Sequence, residues 1–250
     1  MKIISIINQK GGVGKTTTAA ELGAGFIREG AKVLFVDLDP QGNLTFALDG
    51  QNTNLDVMQV LTGQITAADA ITKINQRICL IAASKNLLGA DTQITEVGKE
   101  YRLKEALESL KGYDYIIIDT PPTAGILTVN ALTASDTAVI PVQADIFSLQ
   151  GLQQLYNTIT IVRRYCNKGL TVSGLVLTRY NGRAVLSKDI AAALEQTATQ
   201  FETRLFNTKI RECTAIKEAQ AMKTSIFEYA QKSNGAADYK ALLQELKGVL

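Results

Sequence analysis

Apolar positions along this chain follow two patterns that take turns. The first is the short unbroken run, as in Ile3-Ile4-Ser5-Ile6-Ile7, Val33-Leu34-Phe35-Val36, Ile116-Ile117-Ile118 and Leu175-Val176-Leu177. Runs this apolar leave no face for water, so they predict buried strands. Strands are expected over 3–7, Ala31 to Asp37, Arg77 to Ala82, Tyr113 to Asp119, Ala138 to Asp145 and Thr171 to Thr178, with a short one around Arg204 to Phe206. The second pattern is the helical stripe. It predicts helices over Thr18 to Glu29, Glu100 to Leu110, Ser148 to Arg164, Lys188 to Gln200 and from Tyr239 to the end. Leu149, Leu152, Leu155, Ile159 and Val162 form one such stripe, and Leu103, Ala106, Leu107 and Leu110 another. Leu55 to Leu61 and Thr66 to Ile74 predict short helices parted by Gly63, and Lys85 to Val97 a further one. Strand and helix in alternation predict one α/β domain over residues 1–250, a single-domain, mostly parallel twisted sheet with helices on both faces.

The stretch between the first strand and the first helix is Gln9-Lys10-Gly11-Gly12-Val13-Gly14-Lys15-Thr16-Thr17. Its glycines let the backbone curl so that N–H groups converge on anionic oxygens. The helix that follows adds the partial positive charge of its N-terminus. Strand, glycine-rich loop and helix is the setting of a phosphate-binding loop, so Lys10, Gly11, Gly12, Val13, Gly14, Lys15, Thr16 and Thr17 are the predicted nucleotide contacts. Lys15 is placed to reach the β- and γ-phosphates, and the Thr16 hydroxyl to ligate Mg²⁺. The loop departs from G-x-x-x-x-G-K-[ST] at its first position, Gln9, and adds a second lysine, Lys10. Lys10 is either a solvated loop charge or a charge that reaches a nucleotide held by a second subunit.

Two other strands end in carboxylates. Asp37-Leu38-Asp39-Pro40-Gln41-Gly42-Asn43 leaves the C-terminal end of its strand, the edge where open α/β sheets bind ligands. The segment is also a good generic turn. Tyr113 to Asp119 is an apolar strand ending in an aspartate, which would hold Mg²⁺ beside the loop. Thr120-Pro121-Pro122 then stiffens the chain, and a stiff segment beside the γ-phosphate site could act as a nucleotide sensor.

Composition narrows the chemistry. Of 250 residues, 46% are hydrophobic and 20% charged, as in an ordinary globular protein. There is no histidine, which removes imidazole bases and histidine metal ligands. Phosphoryl transfer survives that loss, because it depends on positioning and electrostatics. Cys79, Cys166 and Cys213 are scattered, with no C-x-x-C pair, and are expected as reduced, buried thiols of a cytosolic protein. The chain opens directly on a strand, without a signal-like segment, and holds no apolar run of membrane length. A net charge of +2 asks for no nucleic-acid partner by itself, though a local basic patch is compatible with one.

Lys10-Gly-Gly-Val-Gly-Lys-Thr-Thr17, Val36-Asp-Leu-Asp-Pro-Gln-Gly-Asn43 and Asp119-Thr-Pro-Pro-Thr-Ala-Gly125 resemble the deviant Walker A loop and switch segments of the ParA/MinD class of P-loop ATPases, in particular the ParA/Soj partition ATPases. The resemblance covers most of the chain and is least diagnostic over 45–112. It implies an ATP hydrolase of slow intrinsic turnover that uses ATP and Mg²⁺. ATP would bridge an ATP-dependent homodimer, with Lys10 of each subunit reaching across. Asp39 would orient the attacking water and Asp37 would support the metal's outer ligands. Thr178 and Arg179 would contact the base. The dimer would bind non-specific double-stranded DNA, and a ParB-like centromere-binding partner would stimulate hydrolysis and release. That places the protein in the cytoplasm, on the nucleoid. Candidate DNA contacts are Arg163, Arg164, Lys168, Arg179, Arg183, Lys209, Arg211 and Lys217, each also readable as a solvated charge. Ala215 stands where the family carries a DNA-contacting arginine. The chain shows no N-terminal DNA-binding extension of the long ParA kind.

Three other classes compete. A MinD-like ATPase at a membrane or protein surface needs a basic amphipathic terminal helix; the last helix here holds two lysines, Lys240 and Lys247, and reads as core packing. Iron–sulfur carriers related to nitrogenase iron protein place paired cysteines on the dimer axis, which the three scattered cysteines do not match. A nucleotide-bound scaffold without turnover would have no use for Asp39.

Overall fold

Successive residues of one apolar run enter different cores. Val33 and Phe35 join one buried cluster, and Leu34 and Val36 another on the opposite side. This is why the central strands carry no polar alternation: both faces of the sheet are covered.

The computed structural model describes residues 1–50, 53–182 and 185–250. The chain runs β1 (Lys2–Ile6), α1 (Lys15–Arg28), β2 (Val33–Asp37), α2 (Asn43–Ala47), α3 (Val57–Leu61), β3 (Ile71–Lys73), β4 (Ile78–Ile81), α4 (Ala90–Gln93) and α5 (Arg102–Glu108). It continues through β5 (Tyr115–Asp119), α6 (Ile126–Ala134), β6 (Thr137–Gln143), α7 (Ile146–Tyr165), β7 (Thr171–Tyr180) and α8 (Val185–Gln200). It closes with β8 (Leu205–Arg211), α9 (Thr214–Ala221), α10 (Ile226–Tyr229) and α11 (Asn234–Lys247).

Among the described residues the strands form one eight-stranded sheet in the order β3-β4-β2-β5-β1-β6-β7-β8. All pairings are parallel except β3 with β4. The chain steps from β1 to one side for β2 and later to the other for β6, so β1 lies at the reversal of strand order. Ligands of open α/β sheets bind beyond the strand ends at such a point. The α1 helix lies close on this centre: a Cβ at Gly23 would stand 2.1 Å from the Phe35 ring, so only glycine fits there.

The core on the α1 side includes Leu22, Phe26, Phe206, Tyr239, Leu242 and Leu246. The apolar face of α11 therefore lies in the interior, as its stripe predicts. Glu21 on α1 is also buried, and both of its carboxylate oxygens accept the Ile226 N–H at 3.1 Å, tying α1 to the start of α10.

Four expectations are corrected. Residues 66–74 do not form a helix. Asp69 accepts from both the N–H and the hydroxyl of Thr66 in a local turn, and Ile71–Lys73 pairs antiparallel with β4. Residues 85–97 hold only a 3-10 turn, Lys85–Gly89, and the short α4, because the backbone leaves helical geometry at Ile94 (φ −96°, ψ 85°); Asp91 within α4 accepts the Ile126 N–H at 2.8 Å at the start of α6. The strand expected around Arg204 to Phe206 extends to Arg211, since β7 supplies a parallel partner along that length. The three cysteines are free thiols as expected, but half-buried rather than buried.

Candidate nucleotide site

The loop after β1 owes its shape to two glycines in the left-handed region, Gly12 (φ 76°) and Gly14 (φ 86°). Gly14 is the N-cap of α1 and offers no side-chain bond, and no acidic residue occupies the first turn. The N-terminal N–H groups of a 14-residue helix thus remain available to an anion. Lys15 follows at once and is 7% exposed. Its Nζ donates to the Lys10 carbonyl at 3.2 Å, which closes the loop on itself. Burial lowers the Lys15 pKa, opposed by the charges of Asp119 and Asp39.

The two strand-end carboxylates stand beside it. Asp37 and Asp119 are register partners across β2 and β5, and both are fully buried. Thr16 Oγ1 donates to Asp119 Oδ2 at 2.6 Å. Asp119 Oδ1 has no hydrogen-bond partner among the described residues. Burial, reinforced by Asp37, pushes the Asp119 pKa well above the usual carboxylate range. An orphaned carboxylate oxygen next to a threonine hydroxyl is a hard-oxygen set that fits Mg²⁺, which keeps several waters and takes few protein ligands. Asp37 is clamped by the N–H and hydroxyl of Thr45, both at 2.8 Å, and by the Asp39 N–H at 3.1 Å. Its pKa is raised by burial to about 6. Asp39 accepts the Gln41 N–H at 2.9 Å and lines the cavity.

That cavity, about 540 Å³, lies over the loop and is also lined by Pro122, Arg179 and Gln220. Thr120, just before the prolines, is pinned to β1 through its hydroxyl, which donates to the Ile6 carbonyl at 2.9 Å. The structure thus brings Gly11, Gly12, Gly14, Lys15, Thr16, Thr17 and Asp39 to one cavity, with Asp119 behind Thr16 and Asp37 behind Asp39. Val13 is buried, and its carbonyl accepts from the Thr178 hydroxyl at 2.8 Å. Thr178 therefore lies beneath the loop as its support, whereas its neighbour Arg179 is at the cavity rim, exposed, with a left-handed φ of 49° that is uncommon outside glycine. Lys10 points along the sheet edge to the N-terminus of α7, where its Nζ pairs with Asp145 and lies 3.4 Å from Ser148 Oγ.

The basic residues named as DNA candidates split between the two ends of the sheet. Arg163, Arg164 and Lys168 follow α7 to the N-terminal end of β7, away from the nucleotide loop. Arg163 Nε donates to the Leu170 carbonyl at 2.9 Å; Arg164 and Lys168 are exposed. Arg179, Lys209, Arg211 and Lys217 gather at the other end. There Lys209 lies over the Tyr180 ring, Arg211 grips Asp238 with two nitrogens, and Lys217 pairs with Glu212 at 3.0 Å. Arg183 lies outside the described residues.

Three further residues of the site carry no local signal in the sequence: Thr45, which clamps Asp37; Asp145, which holds Lys10; and Gln220, which donates to the Thr17 hydroxyl at 2.7 Å. The last two contacts join positions 135 and 203 residues apart.

A family model described as an AAA domain matches residues 1–172. The sporulation initiation inhibitor protein Soj of Bacillus subtilis is 40% identical over 250 residues, covering 98% of each chain. The chromosome partitioning protein ParA of Caulobacter vibrioides is 35% identical over 253 residues, covering 98% of this chain and 94% of its own. Among solved structures, cobyrinic acid a,c-diamide synthase of Mycobacterium smegmatis with bound ATP analog and magnesium superposes with a TM-score of 0.84 at 33% identity, covering 98% of this chain and 93% of that one.

Proposed function

This chain belongs to the ParA/Soj ATPases of the ParA/MinD P-loop family, and we propose that it hydrolyses ATP to drive the positioning of DNA. The observation that carries the reading is the arrangement of Lys15, Thr16 and Asp39 around one cavity at the reversal of strand order, with Asp119 behind Thr16. Gly11 to Thr17 hold the phosphates through backbone N–H groups and the α1 N-terminus. Lys15 neutralises the β- and γ-oxygens. Thr16 and Asp119 would hold Mg²⁺, and the metal would supply positive charge beside the phosphates. Asp39 accepts a hydrogen bond from the attacking water and aims it at the γ-phosphorus. Asp37 keeps Asp39 in place through the Asp39 N–H and stays fixed by Thr45.

In this reading ATP closes two subunits face to face, and Lys10 leaves Asp145 to reach the partner's nucleotide. The dimer binds double-stranded DNA without sequence preference. Doubling the phosphate contacts multiplies the affinity, so a dimer holds DNA where a monomer does not. A ParB-like partner on the cargo stimulates hydrolysis and returns monomers, so the protein works on the nucleoid, in the cytoplasm.

A second reading, in which the ATP-bound dimer works on a protein surface in the MinD manner, is favoured by one observation. Lys209, Arg211 and Lys217 are engaged within the chain, and Ala215 adds no charge between them. The membrane version of that reading lacks a free amphipathic helix in α11, whose apolar residues Leu242, Leu243 and Leu246 are buried. No helix of the described residues is long and apolar enough to cross a membrane.

The deciding experiment measures binding to random-sequence duplex DNA with ATP, ADP and no nucleotide, with oligomeric state followed in parallel. Dimerisation and DNA binding that both require ATP support partition. Dimerisation without DNA binding transfers the function to a protein surface.

A further inference from the structure

Three consecutive threonines follow Lys15 in the first turn of α1, and their hydroxyls have three different partners. Thr16 donates to Asp119, Thr18 lies 3.4 Å from the Tyr239 hydroxyl in the core, and Thr17 accepts from Gln220 of α9. The Gln220 bond ties α9 to the first turn of α1, Nε2 to Oγ1 at 2.7 Å. Gln220 and Thr17 both line the 540 Å³ cavity and an adjoining one of about 70 Å³.

A hydroxyl has one hydrogen to give and lone pairs with which to receive. When Gln220 occupies a lone pair of Thr17, the hydroxyl hydrogen must point elsewhere. Thr17 lines the cavity, so a group bound there can receive that hydrogen. Lys15 serves the β- and γ-phosphates, and Thr16 the metal site. The phosphate left for a donor one residue further along the loop is the one attached to the nucleoside.

We propose that Gln220 is a positioning residue for the nucleotide: it fixes the Thr17 hydroxyl as a hydrogen donor to the α-phosphate of a nucleoside di- or triphosphate. This rests on the nucleotide reading above and adds to it a residue outside the loop. Because ATP and ADP share the α-phosphate, Gln220 contributes equally to both. Because the α-phosphate changes little along the reaction, it contributes to binding and not to turnover.

The test uses the full chain and calorimetric affinities for ATP and ADP. Gln220→Ala is expected to weaken both nucleotides by the same factor, about two- to tenfold, the range of one neutral hydrogen bond. Thr17→Val should match it, Thr17→Ser should keep the wild-type affinity, and the double variant Thr17→Val with Gln220→Ala should be no weaker than Thr17→Val alone. Gln220→Glu should bind worse than Gln220→Ala, since a carboxylate accepts the hydroxyl hydrogen and turns it away from the phosphate. KM for ATP should rise in Gln220→Ala by the same factor as the calorimetric dissociation constant. Wild-type affinities in Gln220→Ala, or losses that multiply in the double variant, overturn the proposal. So does a Gln220→Ala whose only change is a lower melting temperature, which makes Gln220 a strut between α9 and α1. Lys15→Ala separates the two readings: retained nucleotide binding in Lys15→Ala refutes the phosphate loop itself, whereas lost binding there with a harmless Gln220→Ala refutes only the role of Gln220.

Discussion

The ammonium of Lys10 rests on the carboxylate of Asp145 in its own subunit, and Asp145 at the same time caps α7 by accepting the Ser148 N–H at 3.1 Å. Burial would raise the Asp145 pKa, but Lys10 and Ser148 hold it below the usual range. A lysine that is to cross a dimer interface must first give up this partner. The side chains are 28% and 34% exposed, so water screens the pair and its strength is that of a surface ion pair, about 0.2–1 kcal/mol.

Asp145→Asn keeps the helix cap, since asparagine caps as well as aspartate, and removes the charge that detains Lys10. The ATP concentration at half-dimerisation, followed by light scattering, should fall by a factor of about 1.5 to 5, the equivalent of that energy. An unchanged or higher midpoint would mean that Lys10 does not leave Asp145 on assembly.

Asp39 is aimed at the cavity, while its neighbour Asp37 is consumed by Thr45 and by the Asp39 backbone. Asp39→Ala should therefore leave ATP binding and dimerisation in place and lower steady-state hydrolysis by ~10²-fold or more, the usual loss when a group that positions water is removed. Phosphate release at the wild-type rate from that variant would take Asp39 out of the mechanism.

The glycine loop and the strands ending in Asp37 and Asp119 were legible because their signals are local: unbroken apolar runs, turn glycines and a carboxylate at the strand end. The short β3 was not, since three residues at a sheet edge become a strand only through pairing with β4. The partners of Lys10 and Thr17 were hidden for the same reason, because folding joins them across most of the chain. Arg211 shows the limit for charges. Its sequence position reads as a basic contact, yet Asp238 of α11 already holds its guanidinium.

Glu21 predicts a pH dependence of stability. Burial, with Glu228 adding to it against the Ile226 N–H, pushes its pKa from 4.5 to about 8. Between those values the folded chain keeps a proton that the unfolded chain has released. Stability should therefore fall as pH rises through that window. Urea unfolding of the nucleotide-free protein should show a steeper loss from pH 5 to pH 8 in the wild type than in Glu21→Gln, with the variant more stable by at least about 1 kcal/mol at pH 8. Parallel pH profiles would show that Glu21 is ionised in the fold.

At the nucleotide end of the sheet, Arg211 and Lys217 are paired with carboxylates, and Arg179 lines the nucleotide cavity. The face-to-face dimer proposed above would also cover part of that end. Arg164 and Lys168, at the opposite end, are exposed, and neither forms an ion pair among the described residues. A cation without a carboxylate partner has its full charge to offer a phosphate. With ATP present, log affinity for duplex DNA should fall linearly with log salt, at a slope of roughly −0.9 for each phosphate neutralised. Replacing Arg164 and Lys168 together by alanine should make that slope shallower by about 2 per subunit in contact. Arg211→Ala should leave the slope as it is and act on folding, because it strands Asp238 without its partner. A slope that ignores Arg164 and Lys168 but responds to Lys209 or Lys217 would move the DNA to the nucleotide end.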